Sequence, residues 1–97
     1  MKYIEEPDIT LEMLINVGLI DVGTILYASS DNAVTAILNV DGSITLTLNG
    51  LTKKYPYPSG AARAIRGVSI SGWVFWRVKE NNQFIELLKI KKRYLDL

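Results

Sequence analysis

Two hairpin signals, Asp41-Gly42 and Asn49-Gly50, constrain this chain more than any other feature in it. Tight two-residue turns need φ > 0 at their central positions, and Asx-Gly pairs supply that at little cost. Between the two signals, Ser43 to Leu48 alternates strictly, with Ile44, Leu46 and Leu48 on one side and Thr45 and Thr47 on the other. That period of two is the mark of a half-buried strand. A strand turned back at both ends pairs antiparallel with what precedes and follows it. Ala33 to Val40 alternates with Val34, Ala36, Leu38 and Val40 inward, and Leu51 to Tyr55 is a short partner. Thr24-Ile25-Leu26-Tyr27-Ala28 is β-prone, and Ser29 to Asn32 is a polar turn.

Helices bracket this meander. Thr10 stands before Leu11-Glu12-Met13-Leu14-Ile15, where its hydroxyl can cap the first turn and Glu12 suits the positive end of the helix dipole. Gly18 ends that helix and Leu19 follows as the apolar clasp. Pro56 and Pro58 stop the last meander strand. Ser59 then reads as the cap of a helix from Gly60 to Arg66, terminated by Gly67, with Ala61, Ala62 and Ile65 inward. Trp73 to Val78 reads as the last strand. A C-terminal helix is expected from about Gln83, with Phe84, Leu87, Leu88 and Leu95 as its apolar stripe. The expectation is one α+β domain over residues 1–97. It holds a small antiparallel β-meander of about five strands, an N-terminal helix, a short helix before the last strand, and a C-terminal helix.

Composition narrows function mostly by exclusion. The 97 residues are 48% hydrophobic and 22% charged, ordinary for a globular chain that can bury a core without staples. There is no cysteine, so disulfides and thiolate metal sites are excluded. There is no histidine, which removes the commonest general base and metal ligand. Acidic residues are scattered rather than clustered as a Mg²⁺-dependent nuclease requires, and no G-x-x-x-x-G-K-[ST] loop occurs. Ser59 has no histidine to activate it, and no spacing supports a Ser-Lys pair. The expectation is a non-catalytic protein without a cofactor or metal. No apolar run is long enough to span a membrane and the start shows no signal peptide, so a cytoplasmic location is expected.

Charge is lopsided although the formal net charge is only +1. Residues 1–50 hold one basic residue, Lys2, against seven acidic ones; residues 51–97 hold ten basic against three acidic. Such asymmetry suits a polyanion partner on one face, or two halves that attract each other in the fold.

The stretch from Tyr57 to Val78 concentrates the candidate binding chemistry. The Ser59-Gly60 start of its helix is a candidate phosphate seat, and Arg63 lies one turn on along the same side. The plainer reading of Ser59 is a cap alone. Arg66, Arg77, Lys53 and Lys54 can extend a basic face, although each taken singly reads as a solvated charge. Trp73 and Trp76, three apart on a strand, point to opposite sides. Val74 and Val78 accompany Trp76, which makes Trp76 the core ring, while Phe75 and Arg77 share the side of Trp73. Trp73 beside Ser71-Gly72 becomes the candidate for a base pocket. Packing of both rings against helices is the commoner outcome for Trp. Tyr57 is a candidate stacking ring or an apolar lid. The run Lys89-Ile90-Lys91-Lys92-Arg93 can grip a backbone or simply be a solvated helix end.

These pieces in order resemble the RAMA domain, the restriction enzyme and adenine methylase associated module. The resemblance covers about residues 9–78. It runs through Val17-Gly18-Leu19-Ile20, the Val22-Gly23-Thr24 turn, the Asx-Gly turns, Pro58-Ser59-Gly60-Ala61-Ala62 with Gly67, and Gly72-Trp73 with Phe75-Trp76-Arg77-Val78. Tyr57 stands where the family has the first Ser of Ser-Pro-Ser, and Ser71 where it has Asn before Gly-Trp. The resemblance implies a reader of double-stranded DNA, methylated DNA included, working beside a restriction or methylase protein. A protein–protein adaptor in such a system is the alternative. Oligomeric state is not implied.

Overall fold

The computed structural model describes residues 9–97. Helix α1 (Leu11–Asn16) is capped at Thr10, whose hydroxyl accepts from the Met13 amide, while the Met13 sulfur accepts from the Thr10 amide. It closes as expected at Gly18, which has φ +82°. The amide of Gly18 donates to Ile15 and that of Leu19 to Leu14, the paired bonds that satisfy a helix's last carbonyls.

The meander follows as β1 (Ile25–Ala28), β2 (Asp31–Leu38), β3 (Ile44–Leu48) and β4 (Leu51–Tyr55). Asn49-Gly50 forms the two-residue turn between β3 and β4, with φ +54° and +79° and Leu48 opposite Leu51. The Asp41-Gly42 signal sits instead in a five-residue loop, since Leu38 pairs with Ile44. Val34, Ala36 and Leu38 do face inward, but Val40 lies in that loop and is exposed. Helix α2 (Pro58–Arg66) and a single helical turn, α3 (Gly72–Phe75), lead to β5 (Trp76–Glu80), β6 (Gln83–Glu86) and the C-terminal helix α4 (Leu87–Leu95).

All neighbouring strands are antiparallel, and the sheet has six of them in the order β4-β3-β2-β1-β5-β6. The α2–α3 connection therefore leaves one edge of the sheet and crosses to the far side of β1. Register separates the two faces. Leu26, Ala36, Leu38, Ile44, Leu46, Trp76 and Val78 turn toward the helices and are buried. Tyr27, Thr35, Ile37, Thr45, Arg77, Lys79 and Phe84 sit on the opposite face, in alternate positions of the same strands. Among the described residues, no helix covers that face.

Three expectations need correcting. Strand β6 occupies the start of the expected C-terminal helix. Asn81 and Asn82 have φ +51° and +66°, so they form the same kind of tight turn as Asn49-Gly50 and fold Gln83 back onto Glu80. Helix α4 then buries Leu87 and Ile90, with Tyr94 half-buried, while Leu95 is exposed. Strand β5 begins at Trp76 rather than Trp73. The Ser71 carbonyl accepts from the amides of Val74 and Phe75, which winds residues 72–75 into a turn. Gly72, Phe75 and Trp76 are consequently buried, and Val74 is exposed. Finally, α2 starts at Pro58, with Tyr57 in the cap position and no side-chain cap bond. Proline suits the first helical position because its fixed φ is already helical and its missing N–H is not needed there.

Candidate nucleic-acid interface

Helix α2 lays Pro58, Ala61 and Ala62 against the sheet and ends at Gly67, whose φ of +75° reverses the chain. Residues 67–71 then run back beside the helix they have just left. A nine-residue helix is roughly 13 Å long, and five extended residues reach about 17 Å, enough to return to its start. Gly72 closes the return. A Cβ at that position would stand 2.3 Å from the Pro58 carbonyl carbon and 2.5 Å from the Ser59 amide nitrogen, so no other residue fits without displacing backbone. The Gly72 amide donates to the Ser59 hydroxyl at 3.4 Å, and the Trp76 indole donates to the Pro58 carbonyl at 3.1 Å.

Ser59, Gly60, Ser71, Gly72, Trp73 and Tyr57 are thereby gathered around the start of α2. The structure changes what they offer. Ser59 holds Gly72 rather than capping the helix, and the Gly60 amide donates to the Tyr57 carbonyl. Gly72 lies directly against the Ser59 amide. The Ser59 hydroxyl and the Gly60 amide are thus engaged within the fold, although both residues are exposed. Tyr57 is exposed. Arg63 and Arg66 project from the outer side of α2, both exposed.

Trp73 is half-buried and packs on the core cluster. Lys91 of α4 places its ammonium 5.1 Å from the centre of the Trp73 ring, within cation–π range. Trp76, by contrast, is fully buried, as its expected core role requires. The short helix α3 touches both α2 and α4, so Trp73 stands between two helices that each carry exposed cations. Lys89 and Lys92 are exposed on α4. Arg93 points along the other flank and forms a forked pair with Glu80, at 3.0 and 3.1 Å.

The remaining basic candidates are divided by the sheet. Lys53 shares the helix side with Tyr55, its ammonium 5.3 Å from that ring. Lys54 lies on the opposite face and pairs with Asp41 at 3.3 Å. Arg77 is on that opposite face too. It donates to Asn32 at 2.6 Å and lies over the Phe84 ring at 4.8 Å; its Nε is buried without a partner. Arg77 and Lys54 are therefore separated from the Trp73 region and engaged in holding strands together. Strand parity carried this signal for Lys54, because neighbours such as Lys53 and Lys54 cannot face the same side. It misplaced Arg77, which a continuous strand over residues 73–78 puts on the side of Trp73 and which the α3 turn sends to the opposite face. What sequence reasoning left unplaced is Lys91, whose ring partner is distant in the chain.

Charge sorts with the same division. No acidic residue occurs between Asp41 and Glu80, a stretch that includes all of α2 and α3. Among the described residues only the Lys54–Asp41 pair joins the acidic first half to the basic second half. Self-attraction of the two halves is thus a minor use of their charge among those residues. Asp41 has its carboxyl lowered to about 2, chiefly by the hydroxyl and amide of Ser43, with Lys54 contributing less. Glu80 is likewise lowered, first by its hydrogen bonds from Arg93.

Against known families, the model described as Restriction Enzyme Adenine Methylase Associated matches residues 2–96. The chain belongs to the RAMA family. Its description ties this fold to restriction and methylation systems. No curated protein matches the chain. Among the described residues, no helix is long and apolar enough to cross a membrane, and no three His, Cys, Asp or Glu side chains are grouped to hold a metal ion.

Proposed function

We propose that this RAMA domain is a non-catalytic module that binds duplex DNA through its helical layer, in the service of a restriction or methylase system. The observation that carries the reading is the placement of charge. Helix α3 and Trp73 lie between α2 and α4, and Arg63, Arg66, Lys89, Lys91 and Lys92 of those helices make no ion pair with another described residue. Cations on adjoining helices, with no carboxylate on α2 or α3 between them, build a positive potential over one face. Contacts of that kind serve the phosphate backbone, release its counterions, and are therefore salt-sensitive. The opposite sheet face, where Lys54 is ion-paired with Asp41 and Arg77 is hydrogen-bonded to Asn32, takes no part.

The test is a fluorescence-anisotropy titration of the chain with a duplex of about 20 base pairs, two helical turns. Plain and adenine-methylated duplexes are compared at two salt concentrations. Saturable binding that weakens as salt rises is expected. Absence of binding to either duplex near physiological salt overturns the DNA reading and favours an adaptor that docks on protein.

A further inference from the structure

In the helical layer the Lys91 ammonium lies 5.1 Å from the centre of the Trp73 ring, a contact between residues distant in the chain. Helix α3 is a single turn, held at Gly72 against the start of α2 and ending in the buried Phe75, with the buried Trp76 next. Its tryptophan is thus set by backbone on both sides. Lys91 follows the buried Ile90 and lies one turn on from the buried Leu87. At 100° per residue it falls at the border of the buried face of α4, while Lys92 points almost directly away from that face. Arg93 falls on the far flank, where Glu80 holds it. A lysine at such a border normally runs its stem over apolar surface and sends its ammonium to water. Here the ammonium sits over an indole instead.

That placement bears on what the ring can do. Trp73 packs on the core and carries a cation over its ring. A base stacking where the ammonium lies would first have to displace it. The ammonium itself keeps its donors, because a ring attracts the charge without accepting its protons as a carboxylate does. No carboxylate among the described residues pairs with it.

We infer that Trp73 is a positioning residue for Lys91, and that Lys91 is a phosphate contact through which α4 joins α2 in gripping the duplex backbone. This rests on the DNA reading above and narrows it: the indole orders a lysine and does not read a base. Holding the ammonium in place beforehand lowers the ordering cost that a free lysine would meet on binding.

The experiment is the same duplex titration over a series of salt concentrations, on the full chain and on Lys91→Gln, Lys91→Arg, Trp73→Phe and Trp73→Leu. Thermal melting confirms that each variant is folded. Lys91→Gln is expected to reduce the slope of log K against log salt by about 0.9, the loss of one phosphate contact. It should weaken plain and adenine-methylated duplexes by the same factor. Lys91→Arg and Trp73→Phe, which keep the charge and the ring, should retain the slope. Trp73→Leu should lose affinity, and lose little more when combined with Lys91→Gln, because two residues acting as one unit are not additive. An unchanged slope in Lys91→Gln, with the unaltered chain binding normally, overturns this inference alone. So does a preference between the two duplexes that Trp73→Phe abolishes and Lys91→Gln leaves intact, since the ring would then be reading the base. No binding by the unaltered chain overturns the DNA reading and this inference together.

Discussion

The indole N–H of Trp76 donates to the carbonyl oxygen of Pro58 over 3.1 Å, in a buried setting, and so joins the first residue of β5 to the first residue of α2. The bond spans the segment that carries Trp73. Replacing Trp76 by Phe keeps an aromatic ring but removes the donor and part of the volume. A lost buried hydrogen bond and a small cavity together are expected to cost about 2–3 kcal/mol. Urea unfolding checks this, as a lower midpoint with an unchanged slope.

Gly72 and Gly50 separate two reasons for glycine. At Gly72 a methyl group would meet the backbone of Pro58 and Ser59, which cannot swing aside as a side chain can. Gly72→Ala is expected to cost about 3 kcal/mol, the upper range for overpacking. At Gly50 there is open space, and only the φ of +79° opposes a side chain. Gly50→Ala should cost about 1 kcal/mol. Equal midpoints for the two variants in the same urea experiment would contradict the close approach of Gly72 to α2.

Acid stability should follow Asp41 and Glu80. Both carboxyls are lowered in the folded state, Asp41 from 3.8 to about 2 through Ser43 and Lys54, and Glu80 through Arg93. A carboxyl lowered on folding contributes stability that is complete above its unfolded pKa. That contribution is lost as pH falls through the folded value. For Asp41 the loss should run from about pH 4 down to about pH 2. Melting temperatures of the unaltered chain and of Asp41→Asn, measured across that range, should converge as pH falls. A constant difference between them would contradict the assignment.

The meander was legible because its signals are local. Alternation in Ser43 to Leu48 and the Asn49-Gly50 turn act within a few residues, and so do the Thr10 cap and the Gly18 close. The same local chemistry hid in Asn81-Asn82, where two asparagines do the work of Asn-Gly and the four residues after them read equally well as a helix. Residues 72–75 misled for a different reason. Trp, Val and Phe favour a strand, but the close seat of Gly72 on α2 leaves room only for a turn. The candidate site was legible as a list of residues and not as a place. Lys54 was separable from Lys53 by strand parity, but Arg77 shares the parity of Trp73 and is parted from it only by the α3 turn, and the Trp73–Lys91 contact depends on how α4 docks beside α3.

The central claim is that one face of this domain, the helical layer, meets DNA. Charge reversal tests it by face. Arg63→Glu with Lys89→Glu places two carboxylates on the helical layer at exposed positions, and Lys54→Glu with Lys79→Glu does the same on the open sheet face. Titrated against one duplex at low salt, the first pair should abolish saturable binding and the second should leave affinity within a fewfold of the unaltered chain. Equal losses from both pairs, or a loss confined to the sheet-face pair, would contradict the account.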